Sequence, residues 1–332
     1  MNNKPIAVII LNWNGENLLR EYLRSVVMDS RNDLADIIVA DNGSTDNSIE
    51  FLKTNFPDVK IIEFKENYGY AEGYNRAIAA TDYEYTVLLN SDVLVPNNWL
   101  APLYDYCQEH PNVGAVQPKI LSQSNRSQFE YAGACGGYLD KLGFPYCRGR
   151  IFSTIEEDEG QYDSIENIFW ASGAALFVRT EVYKKAGGLD KEFFAHMEEI
   201  DLCWRIHLLG FEVKVIPDSW VFHLGGGSLP ASNPRKTYLN FRNNLLLLHK
   251  NLPDSVRGKV LFKRRLYDAL AYFMFLFKLD FPNANAILNA HKDFKKMRRN
   301  YKVFPSKNLL EILPGCERNI IIDYFLKGKK KF

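Results

Sequence analysis

The 332-residue chain has no CxxC pair among its five cysteines, no repeat of solenoid period and no low-complexity linker. Scattered cysteines exclude a CxxC-based zinc site and favour a reduced compartment. Cys203, in a helical pattern, and Cys147, in a glycine-rich stretch, read as packing residues. A long apolar segment is also missing. The run 269–277 is broken by Lys278 after nine residues, far short of the ~20 needed to span a bilayer. The first strand pattern begins at residue 6, with no charged region and long apolar stretch before it, so no signal peptide and a cytoplasmic location are expected. Net charge is scarce as well, only +1, yet it is unevenly spread. Residues 250–332 carry 19 Lys or Arg against 7 Asp or Glu, and the remainder carries 22 against 33.

What is present is enough apolar material, 46% of residues, for a full α/β core. Four apolar runs, 6–11, 37–40, 59–64 and 85–89, are near-continuous rather than alternating, as strands buried on both faces require. Between them Leu18, Leu19, Tyr22, Leu23, Val26 and Val27 recur at helical spacing, as do Ile49, Leu52 and Phe56 after a cap at Asp46. Strand and helix therefore alternate, which predicts a mostly parallel, Rossmann-like sheet with right-handed crossovers.

Each run ends in a polar cluster. An open parallel sheet presents its ligand site at the carboxyl ends of its strands, so these clusters are the first candidates for chemistry. They are Asn12-Trp13-Asn14-Gly15, Asp41-Asn42-Gly43-Ser44-Thr45-Asp46, the stretch from Asn67 through Gly69 and Gly73 to Arg76, and Asn90-Ser91-Asp92. Asp41 can accept from a base N–H or a ribose hydroxyl, and Asp46 can both cap a helix and line a pocket. Gly69 and Gly73 at a helix entrance admit a ligand close to backbone N–H groups, with Arg76 supplying charge for a diphosphate; the same glycines equally serve tight packing on the sheet. Asp92 can hold a divalent cation against a phosphate. The pattern points to a nucleotide-bearing substrate.

A second group lies downstream. Glu198, Glu199 and Asp201 open a helix that Gly210 ends; helix stabilisation by the macrodipole is one reading. Like charges this close also raise at least one pKa toward the range of a general base. Asp201 and Arg205, at i,i+4, read as a structural pair, leaving Glu198 and Glu199 for catalysis. His223 follows an apolar run and precedes Gly225-Gly226-Gly227-Ser228, a loop that could close over a diphosphate; beside Asp92 the histidine would supply a nitrogen ligand compatible with Mn2+ or Mg2+. Arg148, Arg150, Trp170, Ser172 and Gly173 are candidate walls of an acceptor or sugar pocket, although a glycine-rich hairpin over residues 129–150 could simply cover a sheet edge.

In order and spacing these motifs resemble the family 2 inverting glycosyltransferases of GT-A fold, over roughly residues 5–250, and in particular their rhamnosyltransferase-like branch. The resemblance implies that Asp41 contacts the nucleotide base, that Asp92 is the last position of a DxD metal motif, that His223 completes the metal shell, and that Glu199 is the base. Two departures stand out: Asn90 replaces the first Asp of DxD, and Glu199 replaces Asp. The implied reaction moves a hexose or deoxyhexose from a nucleoside-diphosphate sugar to a hydroxyl of a glycan or polyprenyl-diphosphate-linked acceptor in cell-surface polysaccharide synthesis.

The composition shifts after Pro230, so a catalytic domain over 1–230 and a helical, basic and aromatic extension over 231–332 are expected. In the extension Tyr238, Phe241, Leu245 and Leu248 share one helical face and read as core. Basic residues interleaved with Leu261, Phe262, Leu266, Leu270, Phe273 and Phe277 suit a bilayer interface rather than nucleic acid. Peripheral contact with the inner face of the cytoplasmic membrane is one expectation, and packing on the catalytic domain or on a second subunit of a homodimer is the other. Two rival functions fit the sequence less well. A nucleotidyltransferase needs basic residues after the first strand, where residues 12–16 have none; a catalytically silent membrane-bound scaffold does not account for Asp92, Glu199 and His223 together.

Overall fold

The computed structural model describes residues 4–30, 33–225 and 233–332; Gly226, Gly227 and Ser228 of the expected loop, and the expected boundary after residue 230, lie outside them. Strands β1 (Ile6–Asn12), β2 (Ala35–Asp41), β3 (Lys60–Glu63) and β4 (Tyr85–Leu89) alternate with helices α1 (Glu16–Asp29), α2 (Ser48–Asn55) and α3 (Gly69–Ala79). β1 pairs in parallel with β2 on one side and β4 on the other, and β3 adds beyond β2. The winding thus reverses between β1 and β4, which is where an open α/β sheet leaves a crevice.

The continuous apolar run of β1 follows from this placement. Ala7 and Ile9 enter one core with Ala71, Tyr74 and Trp204, while Ile6, Val8 and Ile10 enter the opposite core with Leu19, Leu23 and Trp99, as a period of two demands of a strand covered on both faces. Each such fully buried side chain contributes about 2 kcal/mol.

The chain continues through β5 (Val93–Leu94), α4 (Leu100–Glu109) and β6 (Val113–Ser122). Next comes a small antiparallel sheet of β7 (Gly137–Leu139), β8 (Pro145–Cys147), β9 (Arg150–Ile151) and β10 (Thr154–Ile155). Elements β11 (Glu166–Asn167), β12 (Ala175–Arg179), α5 (Thr180–Lys185), α6 (Glu198–Leu208) and β13 (Glu212–His223) then complete the main sheet. β12 runs antiparallel between β4 and β6, whereas β13 runs parallel to β6. The sheet is therefore mixed and mostly parallel. Its register with β6 shifts between Ile216 and Trp220, so two segments that look separate in the sequence form one long strand.

Helices α7 (Pro234–Asn251), α8 (Asp254–Phe277) and α9 (Phe281–Met297) close the fold. A single apolar face was expected on α7, but residues 242–249 are buried all round, with Leu245 to Leu248 at 0% exposure in the same core as Trp204. Tyr238 and Phe241 are only half-buried. All five cysteines are free and buried; burial lifts the Cys203 thiol to about 12 and also raises Cys147, which suits packing and not nucleophilic chemistry.

Candidate active site

The loops after β1 and β2 are tied together by their own side chains. Asn12 donates Nδ2 to Asp41 Oδ2 at 2.9 Å and to Ser44 Oγ at 3.2 Å, and Asp41 Oδ1 accepts from the Ser44 N–H at 2.9 Å. Asn14, at φ 49°, donates its N–H to Ser44 Oγ and accepts from the Thr45 N–H at 2.7 Å. Asp46 accepts from Ser48 at the start of α2 and from the Glu16 N–H at the start of α1, so its carboxylate joins two helix N-termini. Asn12 Oδ1 is buried without a partner, and Asp41 retains acceptor capacity, since a carboxylate offers about four lone-pair sites.

At the entrance of α3, Asn67 Oδ1 accepts from Asn42 Nδ2 at 2.9 Å and from the Gly69 N–H at 2.8 Å. Gly69 has φ +78°, a conformation glycine adopts without strain. The two glycines part company here. A Cβ on Gly73 would lie 2.8 Å from Leu11 Cδ1, so Gly73 serves close packing of α3 on the sheet. Arg76 sits a further turn along, ion-paired to Glu72 at 2.9 Å and stacked 3.8 Å from the Tyr68 ring centre.

β5 decides the most consequential contact. It pairs antiparallel with β13, matching Val93 with His223, and the Leu224 N–H donates to Asp92 O. This brings His223 Nε2 within 3.1 Å of Asp92 Oδ1. Asn90 Nδ2 lies 3.4 Å from the same imidazole nitrogen, and half-buried Ser91 separates the two acidic-motif positions. On the other ring edge Glu130 Oε2 lies 3.5 Å from Nδ1. Burial alone would lower the His223 pKa, but the hydrogen bond with Asp92 and the charges of Asp92 and Glu130 overcome it and lift the imidazole to about 10. The converse holds for Asp92, which His223 keeps below the usual carboxylate range despite burial.

No group of three or more His, Cys, Asp or Glu able to hold a metal occurs among the described residues. Two donors nevertheless fit a hard cation that takes its remaining ligands from water and a diphosphate. Ligands at right angles around an octahedral ion, each about 2.1 Å away, are about 3 Å apart, close to the Asp92–His223 spacing. Glu130 behind the ring has the placement of a carboxylate that orients a metal-binding histidine.

The carboxylates of α6 enter from the opposite side. Glu198 is 6% exposed and its Oε2 has no partner; burial and then Glu199 push its pKa well above the ordinary range. Glu199 is half-buried. Burial raises it to about 7, against backbone N–H groups of the first turn that pull it down. Asp201 is occupied elsewhere, accepting from Arg205 at 2.7 Å, Lys250 at 2.9 Å and Asn251 at 2.7 Å, the structural pair expected and more.

Tyr70 joins the two halves, and no sequence signal marked it. Its hydroxyl donates to Gly173 O at 3.1 Å and lies 3.5 Å from Asn90 Oδ1, while a Cβ on Gly173 would sit 3.8 Å from Glu199 Cβ. Asp92, His223, Asn90, Tyr70, Gly173 and Glu199 are thus consecutive neighbours. Phe194, His196 and Met197, just before α6, have φ of 65°, 69° and 72°, strain of the kind that a surrounding structure must hold. α7 holds it: buried Asn243 donates Nδ2 to Phe193 O, Ala195 O and His196 O at 2.9, 2.8 and 2.7 Å, and Arg242 donates to Glu192 O and Phe193 O.

The remaining expected pocket walls are placed differently. Arg148 is buried and spends its guanidinium on Cys135 O, Tyr162 O and Ser164; Arg150 donates to Tyr131 O. Trp170 donates Nε1 to Tyr138 O and fills the space a Cβ on Gly137 would need. Ser172 donates to Ala132 O at 2.6 Å. The hydrogen bonds of these four tie the small sheet to the segments around it. Gly173 alone of that group faces Glu199.

A mixed, mostly parallel sheet with its polar strand ends gathered at the β1–β4 reversal, backed by C-terminal helices, is the GT-A arrangement of glycosyltransferases. Residues 7–178 match Glycosyl transferase family 2, and the chain belongs to that family. It is similar, at 26% identity over 66% of this chain and 75% of the other, to an N-acetylglucosaminyl-diphospho-decaprenol L-rhamnosyltransferase of Mycobacterium tuberculosis. Among solved structures it resembles the mannosyltransferase PcManGT of Pyrobaculum calidifontis in complex with GDP-Man and Mn2+, with a TM-score of 0.52 at 18% identity over 88% of this chain and 76% of that one. It also resembles S. aureus TarS 1-349 in complex with UDP-GlcNAc, with a TM-score of 0.57 at 15% identity over 87% of this chain and 80% of that one.

Proposed function

We propose that the chain is an inverting, metal-dependent glycosyltransferase that moves a hexose or deoxyhexose from a nucleoside-diphosphate sugar to a hydroxyl of a glycan or lipid-linked acceptor in cell-surface polysaccharide synthesis. One observation carries the reading: Asp92 and His223 are linked to the neighbourhood of Glu199 through an unbroken series of contacts with Asn90, Tyr70 and Gly173. Asn12, Asn14, Asp41, Ser44 and Asn67 form the polar rim in which the nucleoside sits, with Asn12 Oδ1 and Asp41 as acceptors. Asp92 and His223 would hold Mn2+ or Mg2+, which when bound would supply positive charge to offset that of the departing diphosphate.

Glu199 removes the proton from the acceptor hydroxyl as that oxygen attacks the anomeric carbon, and a pKa near 7 suits the task. Glu198, kept neutral by burial, limits the charge beside it. Tyr70 and Gly173 fix the floor between donor and base, so that the attacking and leaving oxygens stand on opposite faces of the sugar. The acceptor approaches past Phe194, along a groove of about 640 Å³ that Arg235, Tyr238, Arg242, Asn285 and Asn289 also line. A polyprenyl-diphosphate-linked acceptor suits that mixture of arginine and apolar wall, and the relative from Mycobacterium tuberculosis is named for a substrate of this type.

The test is a thermal-shift series with UDP-, dTDP- and GDP-sugars, each with and without Mn2+. A donor that binds the native state raises the apparent Tm with concentration. The reading expects such a rise for at least one nucleotide sugar, larger with the metal; no rise with any of them contradicts it.

A further inference from the structure

α8 is 24 residues long, roughly 36 Å at 1.5 Å per residue, and one of its faces is left exposed by the described residues. Phe262, Leu266, Leu270, Phe273, Met274 and Phe277 are 64%, 54%, 65%, 53%, 47% and 87% exposed. At about 100° per residue they occupy a single arc of roughly 120° along the whole helix. The stripe continues past the helix end through Leu279 and Phe281, at 73% and 55%. Singly exposed apolar residues are ordinary, but a contiguous run of this size marks an interaction surface.

Charge identifies the partner. Exposed Lys259, Lys263, Arg265 and Lys278 border or interrupt the stripe. Of the carboxylates along α8 and α9, Asp268 is 1% exposed between Arg264 and His291, Asp254 pairs with Arg257, Asp293 is held by Tyr238 and Lys296, and half-buried Asp280, between Leu279 and Phe281, is turned to cap α9 by accepting from Asn283. The face is therefore apolar along most of its length, with cations set into it at Lys259 and Lys263 and beside it at Arg265 and Lys278. Long basic side chains in or beside an apolar face keep their charged ends at headgroup depth while the apolar residues enter the acyl boundary. A second copy of this chain is a poor match, since symmetric pairing would set four exposed cations of each copy against those of the other, in excess of the carboxylates along the face. No helix among the described residues is long and apolar enough to cross a membrane, so the contact is with a surface.

We infer that the exposed face of α8 is a docking surface for an anionic lipid bilayer, lying along the membrane plane. This goes beyond the glycosyl-transfer reading and is independent of it, because it concerns a face remote in sequence from the crevice residues and any sugar could be moved there. It is tested with the full chain by co-sedimentation with vesicles of phosphatidylcholine alone or with phosphatidylglycerol added. The expected result is binding to the anionic vesicles that weakens as salt rises. Leu270→Glu with Phe273→Glu should abolish it, and Lys263→Glu with Arg265→Glu should weaken it at least about tenfold at low salt. All four side chains are exposed, so folding is expected to survive, and near-ultraviolet circular dichroism checks that it does; the wild-type comparison of the two vesicle types stands without any variant. Absence of wild-type binding to anionic vesicles overturns the inference, as does undiminished binding of the Leu270→Glu, Phe273→Glu variant. A dimer in ultracentrifugation that this variant dissociates, with no vesicle binding, overturns it in favour of a second copy. Transfer to a water-soluble acceptor reads the catalytic proposal separately.

Discussion

His223 Nε2 lies 3.1 Å from Asp92 Oδ1 across 131 residues of sequence, and the contact exists because two residues of β5 pair with the end of β13. Without metal the imidazole carries a proton, its pKa lifted to about 10 by Asp92 and Glu130 against burial. A metal must displace that proton. Calorimetric titration of Mn2+ in buffers of different ionisation enthalpy is expected to report release of about one proton per ion near neutral pH, with affinity falling as pH falls. Asp92→Asn or His223→Ala should remove the metal-dependent part of nucleotide binding; unaltered Mn2+ dependence in both variants would remove the metal assignment.

The pH profile follows from Glu199. Its folded-state pKa is raised to about 7 by burial, so the deprotonated base accumulates only as pH rises through that value. The rate, kcat/KM, should therefore climb across about pH 6–8 on a limb that belongs to the Glu198–Glu199 pair as a whole. The same shift has a stability cost of opposite direction. A carboxyl whose pKa is higher folded than unfolded stabilises fully below the unfolded value and loses that contribution as pH rises through the folded one. Glu198→Gln, which removes the buried acid, should thus raise Tm more at pH 8 than at pH 5, as scanning calorimetry at the two values will report.

Asn243 is a positioning residue. It donates to carbonyls of the strained turn that precedes Glu198; Phe193 O keeps Arg242 and the Ala195 N–H as donors, but losing Asn243 leaves part-buried Ala195 O and His196 O without theirs, at about 1–3 kcal/mol. Asn243→Ala should lower Tm and kcat while leaving the KM for the donor nearly unchanged, because the nucleotide rim lies on other loops. A variant with lower stability but unaltered kcat would show that α7 supports the fold without setting the base.

Much of this was legible in the chain. The four apolar runs became β1 to β4 because strands buried on both faces have few alternatives to such composition, and the polar ends marked the crevice. Asp92 and His223 were legible as candidates through motif spacing; their contact was not, since it depends on the register of a two-residue strand. Glu130 and Tyr70 carried no signal. Each is an ordinary residue whose place is set by neighbours 93 and 103 positions away, His223 and Gly173. Arg148, Arg150, Trp170 and Gly73 were ambiguous for a physical reason: arginine, aromatic and glycine build tight buried corners as readily as they build pockets, and only burial separates the two. On α7 Leu245 and Leu248 are core as their spacing predicts, but the buried surface is wider than the sequence shows, because Arg242, Asn243 and Asn244 look solvent-facing yet are buried with carbonyl partners.

The most direct test of the account is the transfer rate of Glu199→Gln, measured beside its Mn2+-dependent donor binding. Glutamine keeps the size of the side chain and removes its basicity, so binding should persist while turnover falls by about 10²–10⁴-fold, the span of general-base catalysis. Turnover equal to that of the unaltered protein would contradict the assignment of Glu199 and, with it, the chemistry drawn from the crevice.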